Sequence, residues 1–311
     1  MMKLYEFSLV MENLNFWIVI SFCYPMLFGA NNIINGILVN RGFRNPFVLT
    51  FYKSITNVLF VPLLFILGEV SFPSYWLLVL YFIVALFDLG YLVPYYVALK
   101  HIDTSIVTAL FALGRVVILV FSYVFLDERL SFVQYLGFMI IILSSIFLSI
   151  TSYKNITLNK AFYLMVLSSF MHSLFLVLEK YVINKDGNWV NMVFYPSVFS
   201  MIIPFVLFFS VKLRREIGFN FALFKGNIKL FIMMEIFSFI ALCTITFVLP
   251  YISVEAKAAI SSTTPIFVLI MGVILGKCFN VKILENITKK EVIKKVAMFL
   301  LIGVGTYLVV M

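Results

Sequence analysis

Ten apolar stretches, each roughly 20 residues long, run through this 311-residue chain in two sets of five. A helix needs about 20 consecutive apolar residues to cross ~30 Å of hydrocarbon, and a soluble domain has no use for ten such runs. Composition agrees: 63% of residues are hydrophobic, against about 45–50% in soluble domains, and only 12% are charged. Runs this continuous also exclude the alternating strands of a membrane barrel. The sequence therefore predicts an all-α membrane protein. Its spans fall near 15–38, 46–67, 74–99, 104–126 and 131–150, then 161–183, 190–212, 229–250, 255–276 and 293–311.

Five is odd. If every stretch spans, the second set enters the bilayer from the opposite face, which gives two inverted five-helix repeats over 15–150 and 161–311. Faint echoes support the pairing: Ile102 and Ala109 recur as Ile252 and Ala259, and Phe51 and Tyr52 recur as Phe194 and Tyr195. The longest connections, 213–228 and 277–292, are basic and polar and read as solvated loops. Nothing outside the bilayer is large enough to do chemistry alone. Met1 to Leu14 precede an apolar run longer than a signal-peptide core, so the first helix is expected to stay in the mature protein.

Three cysteines and two histidines are scattered without ligand spacing, so neither a metal nor a disulfide framework is expected. No Gly-x-x-x-x-Gly-Lys-Ser/Thr run is present, which leaves ion coupling or exchange as the energy source and no cofactor. The net charge of +9 would suggest nucleic acid in a soluble protein, but here it belongs to loops and reports orientation. With side A the face of the N-terminus, side B carries 17 Lys and Arg against 5 on side A, and the positive-inside rule then puts side B in the cytoplasm.

An ionisable group near mid-bilayer costs about 2.5–3.5 kcal/mol on insertion scales, so it persists only where it is paired, hydrated or useful. Asp88, Arg115, His172 and Glu235 are such groups. Asp88 and Arg115 stand at nearly equal distances from the turn at His101, so an antiparallel hairpin puts them at one depth, where they can pair. Two readings stay open: a buried salt bridge fixing two helices, or a guanidinium fork aimed at an anionic substrate group and restrained by Asp88. Asn31, Asn32 and Asn35 place three amides in the first helix, with Asn31 and Asn35 on one face; they form either interhelical hydrogen bonds or the wall of a substrate path. His172, beside Ser168, Ser169 and Ser173, gives the sixth span a matching polar stripe. Tyr91 is the tyrosine closest to Asp88, and Glu235 is the candidate coupling carboxylate unless it only balances Lys257 or Arg115.

Phe28-Gly29-Ala30-Asn31, Ala98-Leu99-Lys100-His101-Ile102 and Leu126-Asp127-Glu128-Arg129-Leu130-Ser131, the last followed by Gln134 and Gly137, resemble motifs of the ten-helix EamA-type transporters of the drug/metabolite transporter superfamily. The resemblance is strong over 20–150 and weak over 161–311. It implies a secondary transporter that moves a small metabolite by alternating access, in a bacterial inner membrane, with both termini in the cytoplasm; the loop charges argue the reverse orientation. Departures are informative. Arg115 stands where the family has a mid-helix proline, which the second half keeps as Pro265; Lys53 stands where an arginine is frequent; and Gly276 to Phe279 have lost the Glu-Arg pattern. Basic groups in the path suit an anionic or amino-acid-like cargo. The expected partners are that small molecule and membrane lipid, not nucleic acid. The competing class, a polytopic enzyme acting on lipid, needs a cluster of His, Asp or Glu near an interface, and none is visible.

Overall fold

The computed structural model describes residues 16–127, 129–149, 160–279 and 288–310. Met1 to Leu14, Glu128 of the Leu126–Ser131 motif and most of the basic insertion after Phe279 lie outside the described residues. Among the described residues all regular structure is helical. The long apolar helices are α1 (Phe16–Asn40), α2 (Pro46–Leu67), α3 (Tyr75–Ala98), α4 (Thr104–Leu126), α5 (Phe132–Ser149), α6 (Lys160–Asp186), α7 (Trp189–Phe209), α9 (Ile228–Tyr251), α10 (Val254–Ser261 and Thr264–Phe279) and α11 (Lys289–Val310), with α8 (Val211–Gly226) between α7 and α9. Among the described residues nine of them are long and apolar enough to cross a membrane, and α5 is a shorter apolar helix at the place of the expected fifth span. The chain is an integral multi-pass membrane protein.

The segment expected as a loop at 213–228 is instead the 16-residue helix α8. Its N-terminus is capped by the Ser210 hydroxyl, which accepts from the Leu213 amide, and Leu213, Ile217, Asn220 and Phe224 share one face at helical spacing. That face docks on α2, where Tyr52 donates its hydroxyl to the Ile217 carbonyl at 2.5 Å and stacks on Phe224 at 4.3 Å. The expected loop at 277–292 is also shorter, because α10 continues to Phe279 and α11 begins at Lys289.

Packing crosses the two halves of the chain in a reciprocal pattern. The first helix of each half lies along the third helix of the other, α1 on α9 and α6 on α3. The fourth helix of each half meets the first of the other, α4 on α6 and α10 on α1, while the two last helices, α5 and α11, pair with each other. Lipid tails supply no hydrophobic drive between helices, so association relies on close approach and hydrogen bonds. Gly137 and Gly305 show this: a Cβ on either would lie 2.6–2.7 Å from the carbonyl oxygen of the other.

Several charges assigned to loops from sequence are buried inside spans. Lys257 forms an ion pair with Glu179, both almost fully buried, and Glu179 also accepts from Thr246 at 3.0 Å. Lys180 donates to the Leu249 and Ile252 carbonyls at 2.5 and 2.9 Å, at the C-terminal end of α9, where free carbonyls favour a cation. Lys295 of α11 pairs with Asp103 at 2.6 Å. Lys180 and Lys257 therefore drop out of the side A loop charge.

Candidate functional site

The fourth helix of each half is broken near its middle. In α4 an α-helical segment Thr104–Leu110 passes through a tighter turn, Phe111–Gly114, before Arg115–Leu126 resumes. In α10 the segment Val254–Ser261 stops at Ser262 and Thr263, and a second segment starts at Thr264-Pro265, where proline suits a first helical turn. Gly114 makes the break in α4 possible, because a Cβ there would collide with the Ser173 hydroxyl and the Ser169 carbonyl of α6. The Leu110 carbonyl, at the start of the tight turn, accepts from the Ser169 hydroxyl at 2.9 Å.

Arg115 opens the second segment of α4 and is 1% exposed. Its Nε donates to Ser262 at 3.2 Å, and its Nη2 donates to Ser261 and Ser262 at 2.8 and 3.0 Å, so the guanidinium is held by hydroxyls at the break of α10. Its Nη1 is buried without a partner. The expected Asp88–Arg115 pair does not form. Arg115 turns to α10, while Asp88 stays half-buried on α3 with no hydrogen bond or ion pair among the described residues. Glu235 is buried with one oxygen unpartnered, and Lys257, proposed as its counter-charge, belongs to Glu179.

The three asparagines form a chain. Asn35 donates to Asn31 at 2.9 Å, Asn31 donates to Ser238 of α9, and Tyr95 and Tyr96 donate to Asn32 and Asn35 at 2.7 and 3.3 Å. The Asn32 amide nitrogen is left buried and unpartnered. His172 is enclosed by Tyr91 at 4.9 Å and Phe111 at 5.0 Å, and its Nδ1 has no partner.

These groups surround two adjoining chambers. One is lined by Tyr24, Phe28, Asn32, Thr108, Phe111, Arg115, His172, Ser261 and Thr264. The other is lined by Phe28, Asn31, Asn32, Asn35, Lys53, Tyr91, Leu92, Tyr95 and Phe111. Phe28, Asn32 and Phe111 wall both. Side chains crowd each chamber so closely that about one water fits. Of the residues singled out from sequence, Asn31, Asn32, Asn35, Tyr91, Arg115 and His172 line a chamber, and Asp88 and Glu235 do not. Sequence reasoning passed over Lys53 as a lining residue, the aromatic walls and the second-half hydroxyls. The Ser261-Ser262-Thr263-Thr264-Pro265 run was a readable signal, since hydroxyls before a proline mark a helix break.

Residues 15–150 match the profile of the EamA-like transporter family. A solved structure titled only "Crystal structure of protein" superposes with a TM-score of 0.66 at 15% identity, covering 94% of this chain and 96% of that one, a likeness of fold over nearly the whole length. No curated protein matches.

Proposed function

With an EamA-like segment over residues 15–150 as premise, we propose that the protein is a secondary transporter of a small metabolite, built from two inverted repeats, 15–150 and 161–311, that alternate access to the paired chambers. The observation that carries this reading is Arg115: a buried guanidinium lining a chamber, oriented by neutral serines of the opposite half, with one face of its fork unused. Half-helix ends meeting at mid-span are the arrangement in which transporters bind substrate, and a planar donor fork suits a carboxylate or phosphate. The cargo is therefore anionic or amino-acid-like, with Asn32 and His172 supplying further polar contacts and Asn31, Asn35 and Tyr91 walling the second chamber. Glu235, buried with one oxygen unpartnered, is the group through which an ion would couple. The chain acts as a carrier rather than an enzyme.

Proteoliposomes loaded with amino acids, nucleotides and phosphorylated metabolites test the reading. Arg115→Ala should abolish accumulation while folded yield falls little, and Arg115→Lys should restore only part of it, because an ammonium does not reproduce the fork. Unchanged uptake by a well-folded Arg115→Ala variant removes the cavity role. Conversion of a lipid without accumulation of any solute replaces the carrier with the enzyme.

A further inference from the structure

On side B, where α1 turns into α2 and α7 into α8, an open surface groove of about 430 Å³ is lined by Arg44, Asn45, Pro46, Phe47, Lys212 and Leu213. The site is separate from the chambers. Arg44 and Lys212 are both exposed, and Lys100, from the α3–α4 turn, donates to the Arg44 carbonyl. Burial, and then the charge of Arg44, push the Lys100 ammonium below its usual range. Among the described residues no carboxylate lies within ion-pair distance of Arg44, Lys100 or Lys212. The acid on α8, Glu216, is engaged by the Asn45 amide. The first free amide of α2 is already satisfied, since Asn45 Oδ1 accepts from the Phe47 amide at 3.0 Å. Any anion in the groove is thus held by the basic side chains.

The level of the groove selects the kind of anion. α7 ends and α9 begins on the same face, so α8 between them runs along the membrane surface. Phe47 is 41% exposed and Phe209, just before α8, is 88% exposed, so apolar surface adjoins the cations. We propose that this groove is a docking site for an anionic phospholipid, its phosphate between Arg44 and Lys212 and its acyl region against Phe47 and Leu213. The occupant also bears on transport. α8 is latched to α2 through Tyr52, and the next residue, Lys53, lines a chamber.

Fluorescently labelled phosphatidylglycerol, compared with labelled phosphatidylcholine, is titrated onto purified protein in neutral detergent. Wild type should prefer phosphatidylglycerol, and the preference should weaken with salt. Each cation near a membrane surface contributes about five-fold, so Arg44→Gln with Lys212→Gln should weaken phosphatidylglycerol about 25-fold. Arg214→Gln with Arg215→Gln, which removes the same charge from the exposed face of α8, should leave it nearly unchanged. Phe47→Ala, a variant that keeps every charge, should also weaken lipid binding. Equal loss in both charge pairs, no preference for phosphatidylglycerol, or full displacement by inorganic phosphate would each overturn the proposal. Because binding is read without transport, its failure leaves the carrier reading standing.

Discussion

Lys257→Met tests whether the buried ion pair between α6 and α10 is a structural necessity. Lys257 is 1% exposed and Glu179 0% exposed, and Thr246 is the other group bonded to that carboxylate. Two unit charges 4 Å apart attract by about 4 kcal/mol at an effective dielectric constant of 20. Removing one partner of a buried pair costs about 3–5 kcal/mol, because the other charge stays dry and uncompensated. At roughly 2–4 °C per kcal/mol, the thermal midpoint in detergent should fall by on the order of 10 °C. Replacing both groups, Glu179→Leu with Lys257→Met, removes the stranded charge and should return stability to within ~1 kcal/mol of wild type. The cycle is read by thermal unfolding of the four proteins, and the two single losses should be strongly non-additive. A Lys257→Met variant that melts with wild type, or a double variant as unstable as the sum of the singles, would refute the reasoning and mean that water reaches the pair.

Other perturbations follow from the same geometry. Gly114→Ala forces a methyl into the Ser169–Ser173 turn of α6 and should cost about 1–3 kcal/mol by overpacking, read as a lower midpoint. Ser261→Ala with Ser262→Ala strips Arg115 of its hydroxyl partners, and hydrogen bonds to a charged group contribute about 1.5–3 kcal/mol each, so stability should drop by more than for either change alone. Tyr52→Phe removes the latch on the Ile217 carbonyl and should cost about 0.5–1.5 kcal/mol, together with faster proteolysis within α8.

The spans were legible because length and apolarity are one-dimensional properties, and the structure moves their ends by only a few residues. α8 was not, since its charges, Arg214 and Arg215 among them, masked a face that is apolar only at helical spacing. Direction was not legible. Asp88 and Arg115 were expected to pair, yet Arg115, just after a four-residue tight turn, bonds to serines nearly 150 positions away, and no local pattern encodes that partner. Lys180 and Lys257 misled for a related reason: near a span end, a lysine facing water and a lysine facing Glu179 have the same sequence neighbourhood.

The reciprocal packing has a mechanical consequence. Since α1 lies with α9 and α10, and α6 lies with α3 and α4, two groups of helices are each assembled from both ends of the chain. Arg115 to Ser261, Tyr95 to Asn32, Tyr96 to Asn35 and Lys257 to Glu179 all run from one group to the other. Helix packing crosses the same boundary, since α4 also lies against α10. In the proposed alternation of access, water entering between the two groups would take over these four polar contacts one at a time, while the packing beside them has no such replacement.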